Sequence, residues 1–119
     1  MKKIVTIQDI SCFGKCSLTV ALPIISAMGI ETAVIPTAVL STHTGGFTGY
    51  TFRDLTEDIP NITEHWKRLG LRFSGIYTGY LGSKEQINIV SDFFDDFSTA
   101  DNFIAVDPAM ADFGRLYAG

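Results

Sequence analysis

Six consecutive residues, Ser41-Thr42-His43-Thr44-Gly45-Gly46, gather hydroxyls, an imidazole and two glycines directly after an apolar run from Ala33 to Leu40. Hydroxyls and imidazole both donate and accept hydrogen bonds, which suits the orientation of a polar small molecule. The same residues also make an ordinary turn, because Ser, Thr and Gly satisfy local backbone groups and tolerate unusual dihedrals. His43 can serve as a general base, since imidazole titrates near neutrality; its isolation favours a hydrogen-bonding prop. Asp107 and Asp112 follow another apolar run, Asn102 to Val106. Two acids so placed can hold hydrated Mg²⁺ near phosphates, because Mg²⁺ takes oxygen ligands and keeps water. Asp-Pro is equally a common turn start. Asp9 and Ser11 follow the first apolar run, and Tyr80 follows a third within Thr78-Gly79-Tyr80-Leu81-Gly82.

Other chemistries lack their residues. There is no Ser-His-Asp order, no H-E-x-x-H and no P-loop; Gly14-Lys15-Cys16 misses both the upstream glycine and the Ser or Thr of that motif. Cys12 and Cys16 are the only cysteines, and C-x₃-C without a second pair is poor zinc evidence. They read as reduced thiols, with a redox pair as the alternative.

The elements that must position these residues follow from periodicity. Short β-branched runs predict strands at 3–7, 32–40, 73–78 and 102–106. Pro36 marks the second strand as an edge or as bulged. A helix is expected from about residue 15 or 16 to Met28, with Leu18, Ala21, Leu22, Ile25 and Met28 on one face, a kink at Pro23 and a stop at Gly29. Residues 50–55 read as a short strand or flap. Asp58 to Asn61 reads as a break around Pro60, followed by a helix capped by Asn61 or Thr63 and ended by Gly70. Ser83 is a plausible N-cap for a helix to about Phe97, whose core stripe is Ile87, Val90, Phe94 and Phe97. This alternation implies an α/β fold, a mainly parallel sheet flanked by helices. Its strand C-termini share one edge. That edge would carry Asp9, Ser11, Thr44, Tyr80, Asp107 and Asp112, a set suited to a small, flat, polar molecule rather than a polymer.

Composition sets the outer bounds. A chain of 119 residues, 46% hydrophobic, is globular and holds one domain. A net charge of −4 argues against a broad nucleic-acid footprint. Anionic ligands would then rest on backbone amides, helix ends or a metal ion. The apolar run at Ile4 to Ile7 is too short for a signal peptide and no segment approaches membrane-spanning length, so the cytoplasm is the default expectation.

Taken in order, Thr6-Ile7-Gln8, the Ser-Thr-His-Thr-Gly loop, Thr78-Gly79-Tyr80 and Val106-Asp107-Pro108 with Asp112 resemble the pyridoxal (pyridoxine, pyridoxamine) kinases of the ribokinase-like superfamily. The match spans nearly the whole chain. The resemblance implies ATP-dependent phosphorylation of the 5′-hydroxymethyl of a vitamin B6 vitamer, with Mg²⁺, in a homodimer. It implies that Thr44 and His43 belong to the ring-contacting loop, that Tyr80 lines the vitamer pocket, and that Asp107 and Asp112 lie on the nucleotide-phosphate and metal side. Asp9 stands where many members have a substrate-binding serine. A carboxylate there would favour a protonated ring nitrogen or the 3-hydroxyl. Leu40 replaces an aromatic residue of some members, and Gly45-Gly46 stands where many have Gly-Tyr. Members of the family run well over twice this length, and their catalytic aspartate lies in a Gly-Thr-Gly-Asp motif beyond Gly119. The chain is therefore expected to be the N-terminal part of such a kinase, incomplete as a ribokinase-like fold and inactive alone. Two alternatives remain: a hydroxymethylpyrimidine kinase of the same fold, and a non-catalytic α/β binding module.

Overall fold

The computed structural model describes residues 2–14, 16–107, 111–112 and 115–116. The elements run β1 (Lys3–Ser11), α1 (Leu18–Ala27), β2 (Glu31–Leu40), β3 (Phe52–Asp54), α2 (Asp58–Arg68), β4 (Gly75–Thr78), α3 (Lys84–Phe97), β5 (Phe103–Val106), β6 (Ala111–Asp112) and β7 (Arg115–Leu116). The main sheet has the order β3-β2-β1-β4-β5. β1 pairs in parallel with β2 and β4, and β4 with β5, while β3 is antiparallel to β2. β6 and β7 form a separate antiparallel pair. The expected mainly parallel α/β sheet is therefore present.

β1 sits in the middle, so successive crossovers leave it in opposite directions. Right-handed crossovers then put α1 on one face and α2 and α3 on the other. The packing agrees: α1 touches β1 and β2, whereas α2 touches β2 and α3. The core lies under α2 and α3 and contains Val5, Ile7, Ile35, Ile59, Phe73, Ile76, Val90, Phe93 and Phe97. Phe93 and Phe97 stack with ring centroids 4.5 Å apart.

Several boundaries differ from the expectation for identifiable reasons. β1 runs on to Ser11, so Asp9 and Ser11 are strand residues rather than loop residues. The β4 pairing ends at Ile7, and pairing with β2 alone, through Ile10 opposite Val39 and Ser11 opposite Leu40, carries the strand past the polar Gln8-Asp9. α2 begins at Asp58, with Pro60 inside its first turn. The first amides of a helix have no partner within it, so proline is tolerated there, and the expected break is instead a helix start. The stripe on α3 is Gln86, Val90, Phe93 and Phe97, rotated from the expected one; Ile87 is 53% exposed. Gln86 can take the inward place because its amide is hydrogen-bonded there. Ser83 caps α3 as expected, accepting from the Gln86 backbone N–H at 3.1 Å. On α1 only Leu18 is buried, and Met28 caps the end with its side chain exposed. Gly29 follows at φ 77°, the left-handed turn expected to stop the helix.

Pro36 is accommodated in both ways that its chemistry allows. β3 pairs only with Ala38 to Leu40, so the Pro36 position has no outer neighbour in the sheet. The register against β1 also slips, from Gln8 opposite Pro36 to Ile10 opposite Val39, a bulge with its extra residue on β2.

Candidate functional site

The reversal of direction at β1 makes a crevice at the C-terminal edge of the sheet, the place where open α/β folds bind ligands. A cavity of about 410 Å³ occupies it. That volume suits a single small molecule. Asp9, Ser11, His43, Thr44, Tyr80 and Asp107 all line it. Asp112 belongs to β6, and its side chain lies outside the described residues. Lys15, the cation nearest in sequence, is outside them as well.

Each wall has a local cause. The β1–β2 pairing continues past the strands: the Cys12 amide donates to the Leu40 carbonyl at 2.9 Å, Phe13 to Ser41 at 3.1 Å, and His43 back to Phe13 at 3.0 Å. This fixes the backbone of the Ser41–Gly46 loop. The His43 ring fills the space over Gly45, where an added Cβ would lie 2.8 Å from Nε2. The imidazole packs over Gly45, the His43 Cβ lies beside Gly14, and among the described residues the ring makes no hydrogen bond. Ser41 closes the loop base, its Oγ accepting from the Thr51 amide at 2.8 Å. The Tyr80 loop is pinned by the Gly79 amide donating to the Ile7 carbonyl at 3.1 Å, and the Asp107 amide donates to the Thr78 carbonyl at 3.0 Å. Gly79 leaves room for the Gln8 side chain: a Cβ there would lie 2.9 Å from Gln8 Oε1.

Electrostatically the chamber is one-sided. Asp9 is 8% exposed, and among the described residues its carboxylate has no hydrogen-bond or ion-pair partner. Asp107 is the second acid of the lining, and no lysine or arginine lines the cavity among the described residues. A carboxylate that faces the cavity without a protein partner can accept a ligand's donor or meet a cation. Thr42 and Thr78 also carry buried hydroxyl oxygens with no hydrogen-bond partner. Among the described residues no group of three His, Cys, Asp or Glu converges as a metal site.

Sequence reasoning missed part of the lining. Tyr50 and Phe52 form a flap wall, and Gln8, Cys16 and Gln86 also face the cavity. The flap could have been found from the aromatic pair in the 50–55 segment. Gln86 could not, because its inward orientation depends on partners remote in sequence.

Comparison with solved structures shows which proteins share this fold. A candidate phosphomethylpyrimidine kinase from Bacteroides thetaiotaomicron, solved with pyridoxal, superposes with a TM-score of 0.93 at 52% identity over 98% of this chain and 40% of that one. Pyridoxal kinase from Lactobacillus plantarum matches with a TM-score of 0.89 at 32% identity, over 98% of this chain and 41% of that one. Pyridoxal kinase from Leishmania donovani, solved with ADP, shares the fold with a TM-score of 0.84 at 22% identity, covering 100% of this chain and 43% of that one. The chain thus resembles pyridoxal kinases and a phosphomethylpyrimidine kinase of the ribokinase-like class, and spans about 40% of their length. No protein-family model and no curated protein matches it.

Proposed function

We propose that this chain is the N-terminal part of a kinase that uses ATP to phosphorylate the 5′-hydroxymethyl of a vitamin B6 vitamer. The observation that carries the proposal is the chamber itself: six residues expected to bind the vitamer or flank its phosphate side line a single cavity sized for one small molecule. Asp9 would take the ring nitrogen when it is protonated, or the 3-hydroxyl. Tyr80 would pack against the ring, Thr44 would hydrogen-bond a ring substituent, and the propped His43 would hold that loop in place.

The charge balance supports an acceptor chamber rather than a nucleotide site. Asp9 and Asp107 would repel a triphosphate, and no lysine or arginine on the described walls offsets them. The nucleotide is therefore assigned outside this cavity, beyond Asp107. ATP supplies the phosphoryl group; the residues here orient the acceptor and exclude water around it. The Mg²⁺ expected at Asp107 and Asp112 has one described carboxylate, Asp107, which does not by itself make a site, and no step is derived through the metal. A homodimer in the cytoplasm completes the proposal; among the described residues no helix is long and apolar enough to cross a membrane.

The full-length protein should convert ATP and at least one of pyridoxal, pyridoxine and pyridoxamine to ADP and the 5′-phosphate, followed by chromatography of the products. No phosphorylated vitamer from any of the three would end the proposal. A hydroxymethylpyrimidine acceptor is the second reading, supported by the similarity to the Bacteroides protein. Competition between the pyrimidine and the vitamer in the same assay separates the two.

A further inference from the structure

Gln86 stands on the inward face of α3 with 2% of its surface exposed. Its amide is bonded in three directions. Oε1 accepts from the Gly82 backbone N–H at 2.8 Å. Nε2 donates to the Thr37 carbonyl at 3.0 Å and to Thr56 Oγ1 at 3.0 Å. A flipped amide would set NH₂ against the Gly82 N–H and oxygen against the Thr37 carbonyl, so only one orientation fits. Thr56 Oγ1 accepts from Gln86 and donates its own hydrogen to Asp54 Oδ1. That oxygen also accepts the Thr56 backbone N–H at 2.6 Å. The Thr37 carbonyl receives a second bond, from the Leu55 amide at 3.0 Å.

The ends of this chain of bonds lie on different walls of the cavity. Gly82 closes the loop that carries Tyr80, and Asp54 ends the β3 strand that carries Phe52. Thr37 is on the floor between them. Hydrogen bonds in series polarise one another; the Gln86 bonds to Thr37 and Thr56 are buried, and the chain reaches the surface only at the exposed Asp54.

We propose that Gln86 is a positioning residue that couples the Tyr80 loop to the β3 flap and so sets the width of the acceptor chamber. Both of its amide protons are committed within the protein, so it donates nothing to a ligand and acts through Gly82 and Thr56. The proposal rests on the acceptor-chamber reading for its effect on substrate; the coupling itself does not.

The test uses the full-length protein with Thr56→Val, Thr56→Ser and Gln86→Leu. Amide hydrogen exchange is followed by peptide mass spectrometry at 79–83, at 54–57 and in β1 and β4. Thr56 does not touch Gly82, yet Thr56→Val should speed exchange at 79–83 by about tenfold, the factor that one net hydrogen bond commands. Thr56→Ser should restore it, Gln86→Leu should loosen 79–83 and 54–57 together, and β1 and β4 should keep their unsubstituted rates. Exchange confined to 54–57, or a rise spread evenly through β1 and β4, overturns the coupling. For a vitamer that the unsubstituted protein phosphorylates, Thr56→Val should raise KM by about tenfold with a smaller change in kcat. An unchanged KM beside raised exchange overturns the role in the chamber. If the unsubstituted protein phosphorylates no vitamer, the substrate assignment falls and the exchange pattern still decides the coupling.

Discussion

In the proposed acceptor chamber, Asp9 is the residue whose replacement should separate stability from binding. Its carboxylate faces the cavity and lacks a partner among the described residues, so no bond within the fold depends on its charge. Asp9→Asn is expected to leave the melting temperature unchanged or raised. It should also weaken vitamer binding by roughly ten- to a hundredfold, since hydrogen bonds to a charged group contribute about 1.5–3 kcal/mol. Calorimetry on the full-length protein reads both effects. Gly79→Ala should lower vitamer affinity in the proposed chamber for a different reason, because its Cβ would lie 2.9 Å from Oε1 of Gln8, a wall residue that would have to move. Affinity and the heat of unfolding of this variant, measured side by side, check it. At this scale much was legible in the sequence: polar residues just past apolar runs converge once strands are parallel. Residues 50–55 were legible as a short strand or flap, but the place of Tyr50 and Phe52 on the cavity wall was not, because it depends on the pairing of β3 with β2.

Among the elements, α3 shows what periodicity leaves open. Phe93 and Phe94 are adjacent, both fit a helical spacing, and only the packing of α2 and α3 selects Phe93, which is 1% exposed. Phe93→Ala should therefore cost about 3–5 kcal/mol and Phe94→Ala distinctly less, as measured by denaturant unfolding. Ser83 was legible from local chemistry alone, since a cap needs no remote partner. At the end of β3, the Asp54 carboxyl is held below its ordinary value of 3.8, chiefly by the Thr56 hydroxyl, then by the Thr56 backbone N–H, with burial opposing and Gln86 adding a smaller lowering. A lowered folded-state value stabilises the ionised form above the unfolded value and loses that contribution as pH falls through the lowered one. The flap is thus expected to loosen in acid below pH 3.8, with little global effect because Asp54 is exposed. The Thr56 amide proton shift during an acid titration follows it, and Asp54→Asn should abolish that step.

For the molecule as a whole, the outer edge of β5 is unpaired among the described residues, and Phe103, Ile104 and Val106 are exposed along it. Open apolar edges recruit further strands. The 119-residue chain alone is expected to associate with rising concentration in sedimentation velocity, and charged substitution at Phe103 and Val106 should reduce that association. The sheet order was beyond sequence reasoning, because the run of β and α segments does not say on which side of β1 each later strand inserts. The surplus residue that follows Pro36 in β2 marks a place where chain length can vary. Thr37, Ala38 and Leu40 line the cavity and Val39 does not, so the bulge gives one face two successive side chains. Removing Ala38 would leave Val39 opposite Ile10 and Leu40 opposite Ser11, each on its present face. Homologous chains that lack one residue here should therefore keep both the fold and the direction in which His43 and Thr44 are delivered, and lose only one side chain of the wall.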